Sequence, residues 1–187
     1  ADKSKFNNII SLDDKNDETY NANAGNDIIM INAKTGKTVH GGHGDDVIVS
    51  GVGDDYLSGG DGRNTYIFTK YWGKDFVNYD NVGDGYDKLV FAGAYYADFA
   101  FYHQNSNLIV KSGDNQLTLL GAMDTRSTKE VYFKFNDKMI LLSEVLGQPI
   151  QNLPISPSDI YINGWRGSDI LNGNANTNKL FGFDGHD

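Results

Sequence analysis

The sequence predicts an all-β protein in which short strands stack on one another. Two observations carry this prediction: a nine-residue pattern that recurs in register, and a composition dominated by turn-forming residues. Of the 187 residues, 22 are Asp, 20 are Asn and 22 are Gly, and these residue types initiate turns and are weak helix formers. Because 39% of the residues are hydrophobic and 12% are aromatic, we expect a folded core rather than disorder.

The nine-residue pattern is clearest in three consecutive units that begin at Gly41, Ser50 and Gly59. A further unit begins at Ala22, and a degenerate unit that lacks the Asp begins at Ile31. In the well-formed units, Gly occupies position four, Asp or Asn position six, and a large apolar residue position eight. The residues at position eight are Ile29, Ile48, Leu57 and Tyr66.

The pattern returns near the other end of the chain, in units that begin at Gly164, Gly173 and Gly182. The last unit stops at Asp187, its position-six residue, and the chain begins without Met. We therefore expect the sequence to be a fragment of a longer protein.

Each unit reads as a six-residue turn followed by a three-residue strand, with the position-eight side chain pointing inward. A single strand of this kind cannot bury its apolar face, but stacked strands form a continuous thin core. The turns then form two columns, which present backbone carbonyl groups and one Asp per turn. Such oxygen-rich turns suit Ca²⁺, which accepts six to eight oxygen ligands in flexible geometry.

The charge and the cysteine count exclude several other classes of function. The chain has 25 acidic and 16 basic residues, a formal net charge of −9, which argues against nucleic acid or an anionic membrane surface as a partner. It contains no Cys, which excludes thiol catalysis and thiolate zinc sites.

The nonapeptide resembles the calcium-binding repeat of the repeats-in-toxin (RTX) family, also called the haemolysin-type repeat. This resemblance implies parallel β-rolls that bind Ca²⁺ between turns two units apart. Asp27 and Asp46 would then share one ion, and Asp46 and Asn64 would border the next one on the same side. Asp55 lies in the other column and faces the degenerate turn around Gly36.

In the second array, the resemblance implies that Asp169 and Asp187 share an ion. The candidate Ca²⁺ ligands are thus the position-six residues together with the turn glycines. They are Gly25, Asp27, Gly41, Gly42, Gly44, Asp46, Gly51, Gly53, Asp55, Gly59, Gly60, Gly62, Asn64, Gly164, Gly167, Asp169, Gly182, Gly185 and Asp187.

Residues 64–147 lack an evident nine-residue repeat and contain segments that alternate with period two, which predicts β structure. Residues 108–110 and 117–120 read as a hairpin, and residues 141–146 as a short helical turn. In the segment 131–135, the three apolar side chains share one face: Val131, Phe133 and Phe135.

The same stretch resembles the domain that often follows RTX repeats in secreted toxins. Its implied role is to cap the roll, with Tyr66, Phe68, Tyr71 and Trp72 covering the last coil. The three prolines, at positions 149, 154 and 157, predict a linker. The expected order is an N-terminal flank with a degenerate repeat (1–21), an RTX block (22–68), a capping segment (69–147), a linker (148–158) and the start of a second RTX block (159–187).

We therefore expect a non-enzymatic Ca²⁺-binding module of a large secreted toxin. The resemblance implies a bacterial extracellular protein, exported by a type I secretion apparatus, that folds on extracellular Ca²⁺. Two alternatives fit the same chemistry: a scaffold or ligand-binding module of an adhesin, whose partner is a host-cell receptor or glycan, and an accessory domain of a secreted hydrolase.

Two groups of side chains also fit other chemistries. His40 and His43, near Asp46, suggest zinc, but a zinc site needs three or four convergent ligands, and the sequence offers no such set. The pairs 45–46 and 54–55 suggest acid–base catalysis, but adjacent strand residues point to opposite faces.

Overall fold

The fold is described from a computed structural model, over residues 5–79, 85–124, 129–154, 158, 161–165, 167–183 and 185. Within these residues the secondary structure is almost entirely β. One short α-helix, α1, spans Leu142–Leu146, and a 3₁₀ turn spans Tyr96–Asp98. The strands, in chain order, are β1 (Ile9–Leu12), β2 (Thr19–Asn21), β3 (Ile28–Ile31), β4 (Thr38–His43), β5 (Val47–Val49), β6 (Tyr56–Asp61), β7 (Thr65–Phe68), β8 (Lys74–Asn78), β9 (Tyr86–Phe91), β10 (Ala100–Gln104), β11 (Asn107–Ser112), β12 (Asn115–Leu119), β13 (Glu130–Lys134), β14 (Met139–Leu141), β15 (Ile150–Asn152), β16 (Tyr161–Asn163), β17 (Asp169–Ile170) and β18 (Lys179–Phe181).

From β1 to β9, successive strands alternate between two sheets, as a solenoid requires. One sheet has the order β1-β3-β5-β7-β9-β13-β14, and the other has the order β17-β15-β10-β11-β12-β8-β6-β4-β2. From β1 to β9 all neighbouring strands are parallel. The chain thus forms a parallel β-solenoid of about 8 turns, which confirms the predicted all-β roll.

The position-eight side chains form the core between the two sheets. Ile29 pairs with Ile48, which pairs with Tyr66, in register along the first sheet. All three side chains are 0% exposed, as is Leu57 on the facing sheet. Since a fully buried side chain of this size stabilises the fold by about 1.5–3 kcal/mol, this repeated position accounts for much of the apolar stabilisation.

The solenoid continues past residue 68. Strand β8 pairs in parallel with β6, and β9 pairs in parallel with β7. The prediction that residues 64–147 lack a nine-residue repeat is therefore wrong for residues 70–78 and 82–90. There Gly73 and Asp75 occupy positions four and six of one further unit, and Gly85 and Asp87 those of another. The boundary between a roll and a capping segment at residue 68 stays a prediction.

After β9 the chain adds antiparallel pairs, although β12 and β13 themselves pair in parallel with β8 and β9. The predicted hairpin is confirmed, since β11 pairs antiparallel with β12. The segment 131–135 also has the predicted inward face, because Val131, Phe133 and Phe135 are at most 2% exposed. Of the four aromatic residues expected to cover the last coil, three are buried in the core, but Tyr71 is 63% exposed.

Helix α1 follows β14 directly. Its start is stabilised by Glu144, whose Oε2 accepts the Leu141 N–H at 2.7 Å. The Ser143 hydroxyl donates to Glu130 Oε2 at 2.9 Å. Within the described ranges, no helix has the length and apolar character needed to cross a bilayer.

The predicted linker, 148–158, contains strand β15. This strand lies between β10 and β17 in the second sheet, and Ile150 and Asn152 are buried. The first half of the segment therefore belongs to the sheet, because its backbone pairs on both sides. Beyond it, β16 and β18 form a separate parallel pair.

Candidate metal centre

The turns of the solenoid form two columns, one at each edge of the stack. The position-six residue of each turn lies just before the following strand or, for Asp75 and Asp87, is the second residue of that strand. In what we call the first column, these residues are Asn8, Asp27, Asp46, Asn64 and Asp87. In the second column they are Glu18, Lys37, Asp55 and Asp75.

A ladder of side-chain oxygens links the turns of the first column. Asp27 Oδ1 accepts the N–H of Asn8 at 2.7 Å, and Asp46 Oδ1 accepts the N–H of Asp27 at 2.8 Å. Asn64 and Asp87 repeat this bond to the preceding turn, at 3.0 and 2.8 Å. Each position-six side chain thus satisfies a backbone donor of its neighbour, so Asp or Asn fits this position geometrically.

The second carboxylate oxygen of Asp27 and of Asp46 fits a cation. Asp27 is 0% and Asp46 1% exposed, and within the described residues neither Oδ2 atom has a hydrogen-bond partner. Burial, together with the charges of Asp27 and Asp45, raises the pKa of Asp46 to about 6. Buried carboxylates without donors are costly unless positive charge compensates them.

The turns stack closely, so backbone carbonyl oxygens of neighbouring turns lie near the glycines of the Asp46 turn. Gly42 has φ +109°, and a Cβ added there would lie 1.8 Å from the Asn23 carbonyl oxygen. A Cβ on Gly41 would lie 2.2 Å from Asp46 Oδ2, so glycine leaves the space that the carboxylate occupies. In the part of the chain that the structure describes, no three acidic or histidine side chains converge. Further oxygen ligands for a cation at these turns would therefore come from backbone carbonyl groups.

The second column holds a carboxylate pair that the sequence reasoning missed. Asp55 Oδ1 accepts the N–H of Lys37, and Asp75 Oδ1 accepts the N–H of Asp55, both at 2.8 Å. The Ser50 hydroxyl lies between the pair, at 3.3 Å from Asp55 Oδ2 and 2.5 Å from Asp75 Oδ2. Burial raises the pKa of Asp75 to about 8 and also raises that of Asp55.

The missed residues carry a signal that the sequence does contain. Residues 82–90 read VGDGYDKLV, which has Gly at position four, Asp at position six and Leu at position eight. The unit at 70–78, KYWGKDFVN, keeps Gly73, Asp75 and Val77 at the same positions. Both units lack Gly at position one. The unit at 70–78 also has aromatic residues at positions two, three and seven, which make its nine-residue period harder to recognise.

The second array is arranged differently. Asp169 is 4% exposed, its Oδ2 accepts the Trp165 N–H at 2.7 Å, and its Oδ1 lies 3.3 Å from His103 Nε2. Asp169 is thus in contact with the antiparallel part of the second sheet. Its predicted partner Asp187 lies outside the described residues.

The candidate glycines lie mostly in the turns. Gly164 repeats the arrangement of Gly41, since a Cβ there would lie 2.0 Å from Asp169 Oδ2, whereas Gly167 packs on the Trp165 ring. His43, considered for zinc, is exposed and lies 2.6 Å from Asp61 Oδ2. Of the other candidate glycines, Gly42, Gly59 and Gly60 lie within strands β4 and β6, as does Gly41. Those outside the strands are Gly25, Gly44, Gly51, Gly53, Gly62, Gly182 and Gly185.

The ladders, the stacked carbonyls and the buried carboxylates define a parallel β-roll with cation-binding turns. A family model described as the RTX calcium-binding nonapeptide repeat matches four copies in this chain, over residues 38–66 and 161–187. These two segments match the RTX calcium-binding repeat, as the sequence predicted. RTX nonapeptide repeats bind Ca²⁺, and four copies imply several ions. No curated protein matches the chain.

The match to the RTX repeat supports a coarse functional statement. The chain contains a calcium-binding module of the kind found in secreted proteins. Such β-rolls are structural and typically non-catalytic.

Lowering the pH is expected to weaken Ca²⁺ binding, because protons compete with Ca²⁺ for the carboxyl groups whose pKa values are raised. Between pH 8 and pH 6, where Asp75 (pKa about 8) and Asp46 (pKa about 6) take up protons, the Ca²⁺ midpoint should increase. The metal-free fold should respond in the opposite sense. A carboxyl pKa raised on folding contributes stability at low pH that is lost as the pH rises through the folded value.

Circular dichroism in chelator and in Ca²⁺, at pH 6 and pH 8, tests both expectations: a higher Ca²⁺ midpoint and a more stable metal-free fold at pH 6. A Ca²⁺ midpoint that stays constant between these pH values would contradict the assignment of these carboxyl groups to the binding turns.

Proposed function

We infer that this chain is a non-enzymatic RTX module that folds when it meets extracellular Ca²⁺. The observation that carries this proposal is the Asp27–Asp46 pair in neighbouring turns. Both carboxylates are buried, and each has an oxygen with no hydrogen-bond donor among the described residues. Like charges in a desolvated column oppose folding, so we expect the metal-free column to be unstable at neutral pH.

The proposed ligands follow the ladder. In the first column, Asp27 and Asp46 hold one ion, and Asp46 and Asn64 border a second one, together with the turn carbonyls. In the second column, the pair Asp55–Asp75 supports a further site. When bound, Ca²⁺ supplies a double positive charge to these oxygens. The chain contributes their fixed spacing through the N–H bonds of each turn.

The chain entropy of the turns makes the coupling to folding strong. Glycine loses more conformational freedom on ordering than any other residue, and the first-column turns that end at Asp46 and Asn64 contain three glycines each. Ca²⁺ that binds only the folded form adds its binding free energy to stability. Extracellular Ca²⁺ modules have Kd values of about 10⁻⁴–10⁻³ M, so we expect the switch in the millimolar range.

Far-UV circular dichroism of the chain in chelator, titrated separately with Ca²⁺ and Mg²⁺, tests this proposal. We expect a cooperative gain of β signal with Ca²⁺ near ~1 mM and none with Mg²⁺, which demands stricter octahedral geometry. A spectrum that is already folded in chelator and unaffected by Ca²⁺ would refute calcium-dependent folding.

The resemblance to RTX proteins supports the wider context that we propose. The parent is a larger secreted toxin that leaves a bacterial cell unfolded through a type I secretion apparatus. In the related alternative, the module belongs to an adhesin that binds a host-cell receptor or glycan. We propose two RTX blocks, of which the first, predicted at 22–68, continues through the further units at 70–78 and 82–90 and the second spans 159–187. The rest of the predicted capping segment (69–147) and the predicted linker (148–158) lie between them in the chain.

A further inference from the structure

A lysine ammonium group lies inside the second column. Lys37 lies in register with Asp55, the position-six residue of the next turn in the column, because the degenerate unit carries one inserted residue. It is only 4% exposed. Its Nζ donates to the backbone carbonyl oxygens of Asn16, at 2.9 Å, and Asp17, at 3.5 Å. Both carbonyls belong to the preceding turn of the same column. A positive charge therefore lies between two stacked turns, next to oxygen acceptors.

A second ammonium group lies at the other end of the stack, in the first column. Lys129 Nζ lies 3.0 Å from Asp87 Oδ1, and the two side chains are 2% and 0% exposed. The same Asp87 oxygen accepts the N–H of Asn64, so Asp87 is the last carboxylate of the ladder. Lys129 immediately precedes β13, the next strand of that sheet.

We propose that Lys37 and Lys129 take the place of Ca²⁺ in their inter-turn spaces and hold these turns together without metal. The inference rests on the proposed function, because it assumes that the other turns need Ca²⁺. Carbonyl and carboxylate oxygens that face a buried space require positive charge or donors. The ammonium group of a lysine is covalently part of the protein, so the positive charge that it supplies is independent of the Ca²⁺ concentration.

The two lysines thus lie at the two ends of the calcium-dependent part of the roll. The turns between them contain Asp27, Asp46 and Asp55, whereas Lys37 and Lys129 close spaces near opposite ends of the stack. We expect these two lysine-held contacts to form at Ca²⁺ concentrations too low to order the turns around Asp46. When Ca²⁺ binds, ordering of the metal-dependent turns can then start from these two contacts.

The decisive variant is Lys37→Asp, which restores the repeat's own residue at position six. The site borders a cleft of about 500 Å³ lined by Asp14, Glu18 and Asp54, among others, so Ca²⁺ can reach it from solvent. Isothermal titration calorimetry should show one additional Ca²⁺ per chain relative to the wild type. Lys34→Asp is the matched control, because it makes the same charge change at an exposed position of the same turn and should add no ion.

The outcomes separate the two proposals. If the wild type binds Ca²⁺ and folds with it, but Lys37→Asp gains no ion, the lysine inference fails and the proposed function stands. If the wild type binds no Ca²⁺, the proposed function fails, and the inference fails with it. A gain that Lys34→Asp reproduces would also overturn the inference, since it would reflect net charge alone.

A measurement on the unmodified chain decides the question if Lys37→Asp does not fold. The Thr38 N–H bonds to Glu18 across the space held by Lys37, and the Val47 N–H bonds to Asp27 across the Asp27–Asp46 space, both at 2.8 Å. Removal of Ca²⁺ should accelerate hydrogen exchange at Val47 at least about tenfold more than at Thr38. Equal acceleration at the two amides would overturn the inference.

Discussion

Asp46→Ala is expected to raise the Ca²⁺ concentration at half-folding more than Asp55→Ala does. Asp46 lies between Asp27 and Asn64 in the ladder, so its carboxylate borders two inter-turn spaces. Asp55 has Lys37 on one side, and its carboxylate already accepts hydrogen bonds from the N–H groups of Lys37 and Gly51. We expect the Asp46 variant to shift the midpoint by about tenfold or more, equivalent to ~1.4 kcal/mol per tenfold.

The matched variants Asp46→Asn and Asp55→Asn separate charge from hydrogen bonding. Asn64 shows that an amide oxygen accepts the ladder N–H, at 3.0 Å, so Asn preserves the backbone contact and removes only the negative charge. Ca²⁺ titrations followed by circular dichroism give the midpoint, and calorimetry gives the number of ions. Indistinguishable midpoints for the Asp46 and Asp55 variants would refute this assignment of ligands.

Gly42→Ala is expected to destabilise the calcium-loaded roll strongly. Its φ of +109° is unfavourable for a residue with a side chain, and the added Cβ would lie 1.8 Å from the Asn23 carbonyl oxygen. The left-handed backbone costs about 1–2 kcal/mol, and the steric conflict with a stacked backbone adds about 1–3 kcal/mol. The turns would have to separate, which also disturbs the oxygens around Asp46.

Gly93→Ala is the control for backbone strain alone. Gly93 has φ +77°, and nothing lies within 4 Å of the added Cβ, so we expect only the backbone cost of about 1–2 kcal/mol. Chemical denaturation in saturating Ca²⁺ measures both variants. Equal losses of unfolding free energy would show that close stacking at Gly42 contributes little.

The sequence was sufficient for the repeated part of the fold because the pattern there is local. Gly at position four, Asp at position six and an apolar residue at position eight predict the turn, the ladder and the core of one coil. Once units are stacked in register, the contact between Asp27 and Asp46 follows from their spacing of 19 residues. The all-β roll and its calcium-binding character are confirmed for this reason.

The parts that the sequence analysis missed depend on contacts between distant residues or on residues that depart from the pattern. Lys37 reads as a lost ligand in a degenerate unit, and only the packed structure shows that its ammonium reaches the carbonyls of Asn16 and Asp17. Asp169 fits the repeat, yet it lies beside His103, a residue far away in the chain. No local pattern identifies such a partner.

The alternation of strands between two sheets constrains how such a chain changes length during evolution. A gain or loss of two units adds or removes a whole coil and leaves every remaining residue in its column. A gain or loss of one unit moves all following strands to the opposite sheet and carries each Asp across the stack. Additions within a turn are tolerated more easily, since the coil from Asp46 to Asn64 has 18 residues and the coil from Asn64 to Asp87 has 23, yet both keep the same ladder bond.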